Sequence, residues 1–156
     1  MRLRLACLVL VASASFGCGS HSLISESDTV TVGWRMLGTV PACGKPQQAG
    51  IVRIDFPAGT VTRLESIYRC TSGSTGAYSI DARATHTMTP EEKEKLLRSA
   101  RSVTTRDVDE CLGFDGKSFF VQVAGGAAYT DGISSGCGTI AEGHDVLYSD
   151  ASSLVP

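Results

Sequence analysis

The sequence predicts an α+β domain: an antiparallel β-sheet meander of five to seven strands with one main amphipathic helix packed on one face. Three observations lead there. Apolar and polar residues alternate in several short runs, the period of half-buried strands. A single stretch changes to the helical period, and a capping signal introduces it. Segments rich in glycine, proline and serine separate these runs at the spacing expected of loops.

Residues 18–28 are polar and without period, which predicts a flexible tether, and the folded domain is expected over 29–156. Val30, Val32, Trp34 and Met36 alternate with Thr31, Gly33 and Arg35 in the first strand. Residues 41–50 carry Pro, Gly and Gln and read as a loop holding Cys43. Val52, Ile54 and Phe56 mark the second strand, and a third alternating run covers 61–68. Pairing Phe56 with Thr62 sets Ile54 opposite Leu64, Asp55 opposite Arg63 and Arg53 opposite Glu65. That register gives one apolar face and one of opposed charges.

Cys70 opens the next loop, after which Tyr78, Ile80, Ala82, Ala84 and His86 alternate in a fourth strand. In Thr89-Pro90-Glu91-Glu92, the threonine caps, the proline suits the first helical position, and Glu92 completes a capping box. Leu96, Leu97, Ala100 and Val103 then form a stripe, so a helix is expected over about 90–102. Glu91 with Lys95 and Glu94 with Arg98 stand at i,i+4 on its outer face. Phe119, Val121 and Val123 alternate up to Gly125-Gly126, and 127–130 can return as a hairpin partner. Residues 131–143 form a glycine-rich loop with Cys137, and 144–156 read as a short strand or coil.

The extreme N-terminus has a different character. Arg2 and Arg4 precede an apolar run over 5–16 that is too short to span a bilayer, and Gly17 then meets Cys18. This pattern is an export signal over 1–17. Ser15-Phe16-Gly17-Cys18 resembles the signal of bacterial lipoproteins, in a degenerate form, since Ser15 and Phe16 replace the usual aliphatic and small residues. The resemblance covers the leader only. It implies acylation of Cys18, including palmitate, and attachment to the membrane through that residue. Gly19 after Cys18 resembles lipoproteins sent to the outer membrane. Ala12-Ser13-Ala14 offers ordinary signal peptidase an alternative site, which leads to a soluble periplasmic or secreted protein.

Cysteine parity favours the lipid. Of the six cysteines, Cys7 leaves with the leader, and Cys18, Cys43, Cys70, Cys111 and Cys137 remain. An odd number is anomalous in an oxidising compartment, and acylation of Cys18 resolves it. The meander supplies the pairing. Its first and third strands run the same way, so Cys43 meets Cys70 at one end, while Cys111 and Cys137 flank the later hairpin.

The net charge of −2 becomes more negative without Arg2 and Arg4, so nothing suggests nucleic acid. Gly132-Ile133-Ser134-Ser135-Gly136 matches a nucleophile-elbow pattern, with His144 and Asp145 close behind. A true elbow lies between a strand and a helix and places its acid before its histidine. His21, His86 and His144 are scattered, and none has a second ligand at metal spacing. The acidic residues between Asp107 and Asp115 lack regular calcium ligands. Arg53, Arg63, Arg69 and Arg83 suggest an anion-binding face, but the expected register pairs Arg53 and Arg63 with carboxylates.

These features predict a lipid-anchored protein of the bacterial envelope that acts as a non-catalytic binding or interaction module. Its expected partners are the membrane, through Cys18, and an envelope protein; no cofactor or metal is expected. A proteinase inhibitor presenting the loop over 41–50 or 70–76 is the alternative. A small serine hydrolase using Ser134 is a third.

Overall fold

Alternation along Thr29–Met36 forms β1, which lies inside an eight-stranded sheet with neighbours on both edges. The computed structural model describes residues 22–36, 41–70, 76–108, 117–130 and 138–156. After β1 come β2 (Ala49–Asp55), β3 (Thr60–Arg69), β4 (Ala77–Thr87) and helix α1 (Pro90–Arg101). The chain continues through β5 (Thr104–Val108), β6 (Lys117–Val123), β7 (Ala128–Thr130), β8 (Gly138–Glu142) and helix α2 (His144–Ser152).

The strand order is β4-β3-β2-β1-β6-β7-β8-β5. The first four strands are the expected antiparallel meander. Val30 and Val32 of β1 are fully buried, and β6 occupies the second edge of β1, with Val32 against Val121 and Trp34 against Phe119. The sheet is mixed, because β7 and β8 run parallel. The architecture is thus predominantly β, which corrects the expected α+β meander of five to seven strands with one helix. Two strands escaped the sequence reading because Thr104–Val108 is mostly polar and Gly138–Glu142 is short and opens on glycine.

Helix α1 keeps its expected start. The Thr89 hydroxyl accepts from the Glu92 amide at 3.2 Å, and the Glu92 carboxylate accepts from the Thr89 amide at 2.8 Å. Glu94 pairs with Arg98 at 2.7 Å, but Lys95 turns from Glu91 to Asp150 of α2, also at 2.7 Å. Helix α2 replaces the strand or coil expected at the C-terminus. It starts after Gly143, whose φ of 76° suits glycine, and has no side-chain cap. His144, Leu147 and Ala151 are its buried residues, at i, i+3 and i+7.

Both helices cover one face of the sheet. Leu96, Ala100, Val103, Leu147 and Ala151 meet Val30, Val32, Val52, Ile54, Val61 and Val121 there in the core. Ile24 belongs to the same core, and the Leu23 amide donates to the Val103 carbonyl at 3.3 Å. The folded unit therefore reaches at least to Ser22, and the later part of the tether expected over 18–28 is packed chain.

The expected hairpin register is corrected as well. Asp55 pairs with Thr60, Ile54 with Val61, Arg53 with Thr62, Val52 with Arg63 and Ile51 with Leu64. A four-residue turn over 56–59 sets it. The Asp55 carboxylate accepts from the Ala58 amide at 2.8 Å, and Gly59 supplies a φ of 67°. Beyond this hairpin, Cys43 and Cys70 form the expected disulfide, their Cα atoms 5.4 Å apart. The Gly44 amide donates to the Tyr68 carbonyl and the Gln47 amide to the Ser66 carbonyl, which fastens the loop to β3.

Strand β4 and strand β7 are five spacings apart in this order, about 24 Å in a flat sheet. A cavity of about 310 Å³ nonetheless touches Tyr78 and Ile80 of β4 together with Ala128 and Thr130 of β7. The sheet therefore curls, and its helix-free face is concave.

Candidate functional site

Strand parity decides which side chains can meet. Trp34 shares the helix-side face with Val30 and Val32, and its partner across β2 is Gly50. A Cβ at Gly50 would collide with the Tyr148 hydroxyl and lie 2.5 Å from Trp34 Nε1. Because glycine leaves that space open, Tyr148 descends from α2 and its hydroxyl accepts from the indole at 3.2 Å. Phe119, next to Trp34 across β6, packs edge-on to Tyr148 at 6.4 Å and to His144 at 5.5 Å. The Lys117 ammonium lies 4.2 Å from the Trp34 ring centroid. Sheet and helix thus hold a fixed aromatic group between them.

Beside it opens a cavity of about 390 Å³, whose lining includes Trp34, Gly50, Arg63, Glu65, Arg83 and Tyr148, with Ser152 one helical turn beyond Tyr148 and Val155 after it. Its volume falls in the usual range for small-molecule sites. The β3–β4 ladder shifts between Arg63 and Leu64, so Arg83 is the extra residue of a bulge. From there the Arg83 Nε donates to Glu65 at 2.6 Å, and its Nη2 contacts the same carboxylate oxygen. Glu65 is therefore committed to Arg83. Arg63 makes no ion pair or hydrogen bond among the described residues.

The four arginines considered as an anion face separate accordingly. Arg53 sits between Thr31 and Thr62 on the helix-free side, opposite to Arg63. Arg69 donates to Ser79 at 2.8 Å and pairs with Asp81 at 3.4 Å. Arg83 has Glu65. The expected face of opposed charges is therefore corrected: Arg53 and Arg63 lie on opposite sides of the sheet, neither pairs with a carboxylate among the described residues, and the ion pairs that form are Arg69–Asp81 and Arg83–Glu65 across β3–β4. Arg63 alone faces a cavity without a described partner.

Other sequence candidates do not converge. His86 lies 2.9 Å from the Glu92 carboxylate, and His144 is buried at the start of α2. Among the described residues no cluster of three or more His, Cys, Asp or Glu could hold a metal, and no helix is long and apolar enough to cross a membrane. Ser134, Cys18, Cys111, Cys137 and His21 lie outside the described residues, as does most of the acidic run. Of the two loops considered for protease inhibition, 71–75 lies outside them too, and the described one is fastened to β3.

The aromatic and glycine parts of the site were missed in the sequence. Trp34 reads as one more inward residue of an alternating strand, and Gly50 as loop. A usable signal for Tyr148 was the spacing of His144, Leu147, Tyr148 and Ala151, which traces one helical stripe. No family model, no curated protein and no solved structure matches this chain.

Proposed function

We propose that this chain is a lipid-anchored protein of the bacterial envelope, held in the outer membrane through Cys18, and that it acts as a non-catalytic binding module. Its binding site is the cavity between α2 and β1–β4. The observation that carries the reading is the lining: an aromatic pair seated over a glycine stands beside an arginine without a described partner. Rigid aromatic area with a few placed polar groups is the usual constitution of a ligand pocket. The export signal and the cysteine parity support the location.

Trp34 is the single tryptophan of the sequence and lines the cavity, so its emission reports occupancy. The mature protein, titrated with a library of neutral, cationic and anionic small molecules, should show a saturable change with at least one class. Ser152→Trp, which adds bulk to the α2 side of the lining, brings a second fluorophore, so its binding is read by calorimetry and should be lost. Binding that persists unchanged in Ser152→Trp places the site elsewhere.

A further inference from the structure

Resting on that reading, we infer that the cavity takes a small organic carboxylate, its charge on Arg63 and its apolar body against Trp34 and Tyr148. The charged side chains in the lining are Arg63, Arg83 and Glu65. Glu65 and Arg83 are committed to one another through two contacts to one oxygen, which leaves Arg63 as the charged side chain of the lining without a described partner. A monoanion matches one guanidinium; a dianion would keep a charge unanswered. The planar fork of arginine also fits a carboxylate in two parallel hydrogen bonds.

Tyr148 adds a second donor. Its hydroxyl oxygen already accepts from Trp34, and its own hydrogen goes to no described residue. Arg63 on the sheet and Tyr148 on the helix thus present donors from different elements into one cavity. Val52, Val155 and the Trp34 ring supply the apolar part of the remaining lining, beside the polar Gln47 and Ser152, and they give an organic body a surface that a bare inorganic ion would not use. Ligand polarity is set at one end and shape at the other.

The probes are benzoate, its neutral counterpart benzamide, cationic benzamidine and inorganic phosphate, titrated at constant ionic strength against the mature protein and followed by Trp34 emission. Benzoate should bind about tenfold or more tightly than benzamide, the margin of a charge-assisted hydrogen bond over a neutral one. Arg63→Gln should remove that preference while the emission of the free protein and its melting temperature stay unchanged, and Arg63→Lys should keep part of it. Benzamide or benzamidine binding as tightly as benzoate would overturn the anion assignment and leave the binding cavity standing. Phosphate binding more tightly than benzoate would overturn the apolar body. Silence of Trp34 toward all four probes would overturn the carboxylate assignment, and silence toward the wider library as well would remove the binding reading with it.

Discussion

Gly50 shows how much can rest on one absent side chain. Its missing Cβ is what allows the Tyr148 hydroxyl to reach the Trp34 indole, so both rings depend on a residue that has no side chain of its own. In Gly50→Ala the added methyl must displace the Tyr148 hydroxyl and crowd the indole nitrogen. Overpacking of this kind costs about 1–3 kcal/mol, read as a lower urea midpoint, together with an altered Trp34 emission. Unchanged emission and midpoint would mean that the pair does not require the glycine. The hairpin register teaches a related lesson about residues. Matching apolar to apolar residues was satisfied by Ile54 against Leu64 and equally by Ile54 against Val61, so cross-strand pairing did not discriminate between registers three residues apart. The turn discriminated, through the Asp55 carboxylate on the Ala58 amide and the positive φ of Gly59. Cross-strand pairing offers the Asp55 charge to an arginine, but its local use is to close the turn.

Helix α1 was legible and helix α2 was not, for a physical reason that lies at their ends. The first carries its start signal in four consecutive residues, and both halves of its capping box form. The second begins at a glycine, has no side-chain cap and no basic residue in its last turn, so its ends carry no signal and only the stripe it packs against the sheet marks it as helix. The cap of α1 also supplies a pH-dependent contribution. The hydrogen bond with His86, and next the one from the Thr89 amide, hold the Glu92 carboxyl below its usual 4.5. A carboxyl with a lowered native pKa stabilises the fold above its unfolded value, and that stabilisation is lost as pH falls through the native one. The urea-midpoint gap between the natural protein and Glu92→Gln should therefore still be open at about pH 5 and close toward pH 3. A gap of constant size at both would show that the Glu92 charge is not its source.

On the scale of the whole molecule, what could be read from sequence was whatever depends on neighbours in the chain. The run of β1 to β4 and the Cys43–Cys70 bridge follow from short loops and strand direction, and both are present. The return of β6 to β1 and the parallel β7–β8 contact join distant segments, and no local pattern announces them. The cavity inherits that difficulty, since it needs β1 to β4 and the C-terminal helix together. The N-terminal side has a consequence for the anchor. The Ser22 hydroxyl donates to the Ile24 carbonyl at 2.8 Å, and Ile24 is buried in the core near the end of α1. From Cys18 to Ser22 the chain can span at most about 14 Å. A lipid on Cys18 would thus hold the domain close to the bilayer, with the end of α1, where Arg98 and Arg101 lie, on the side nearest the headgroups. A single acyl chain binds a membrane only marginally, so stable anchoring requires the multiple chains that lipoprotein processing attaches. Intact-mass measurement of protein extracted from its native membrane should give a chain that starts at a diacylated or triacylated Cys18, and Cys18→Ser should move the protein to the soluble fraction. A lipid-free chain beginning at Ser15 would instead make this a soluble exported domain, with Cys18 left as an unpaired thiol or bonded to another cysteine.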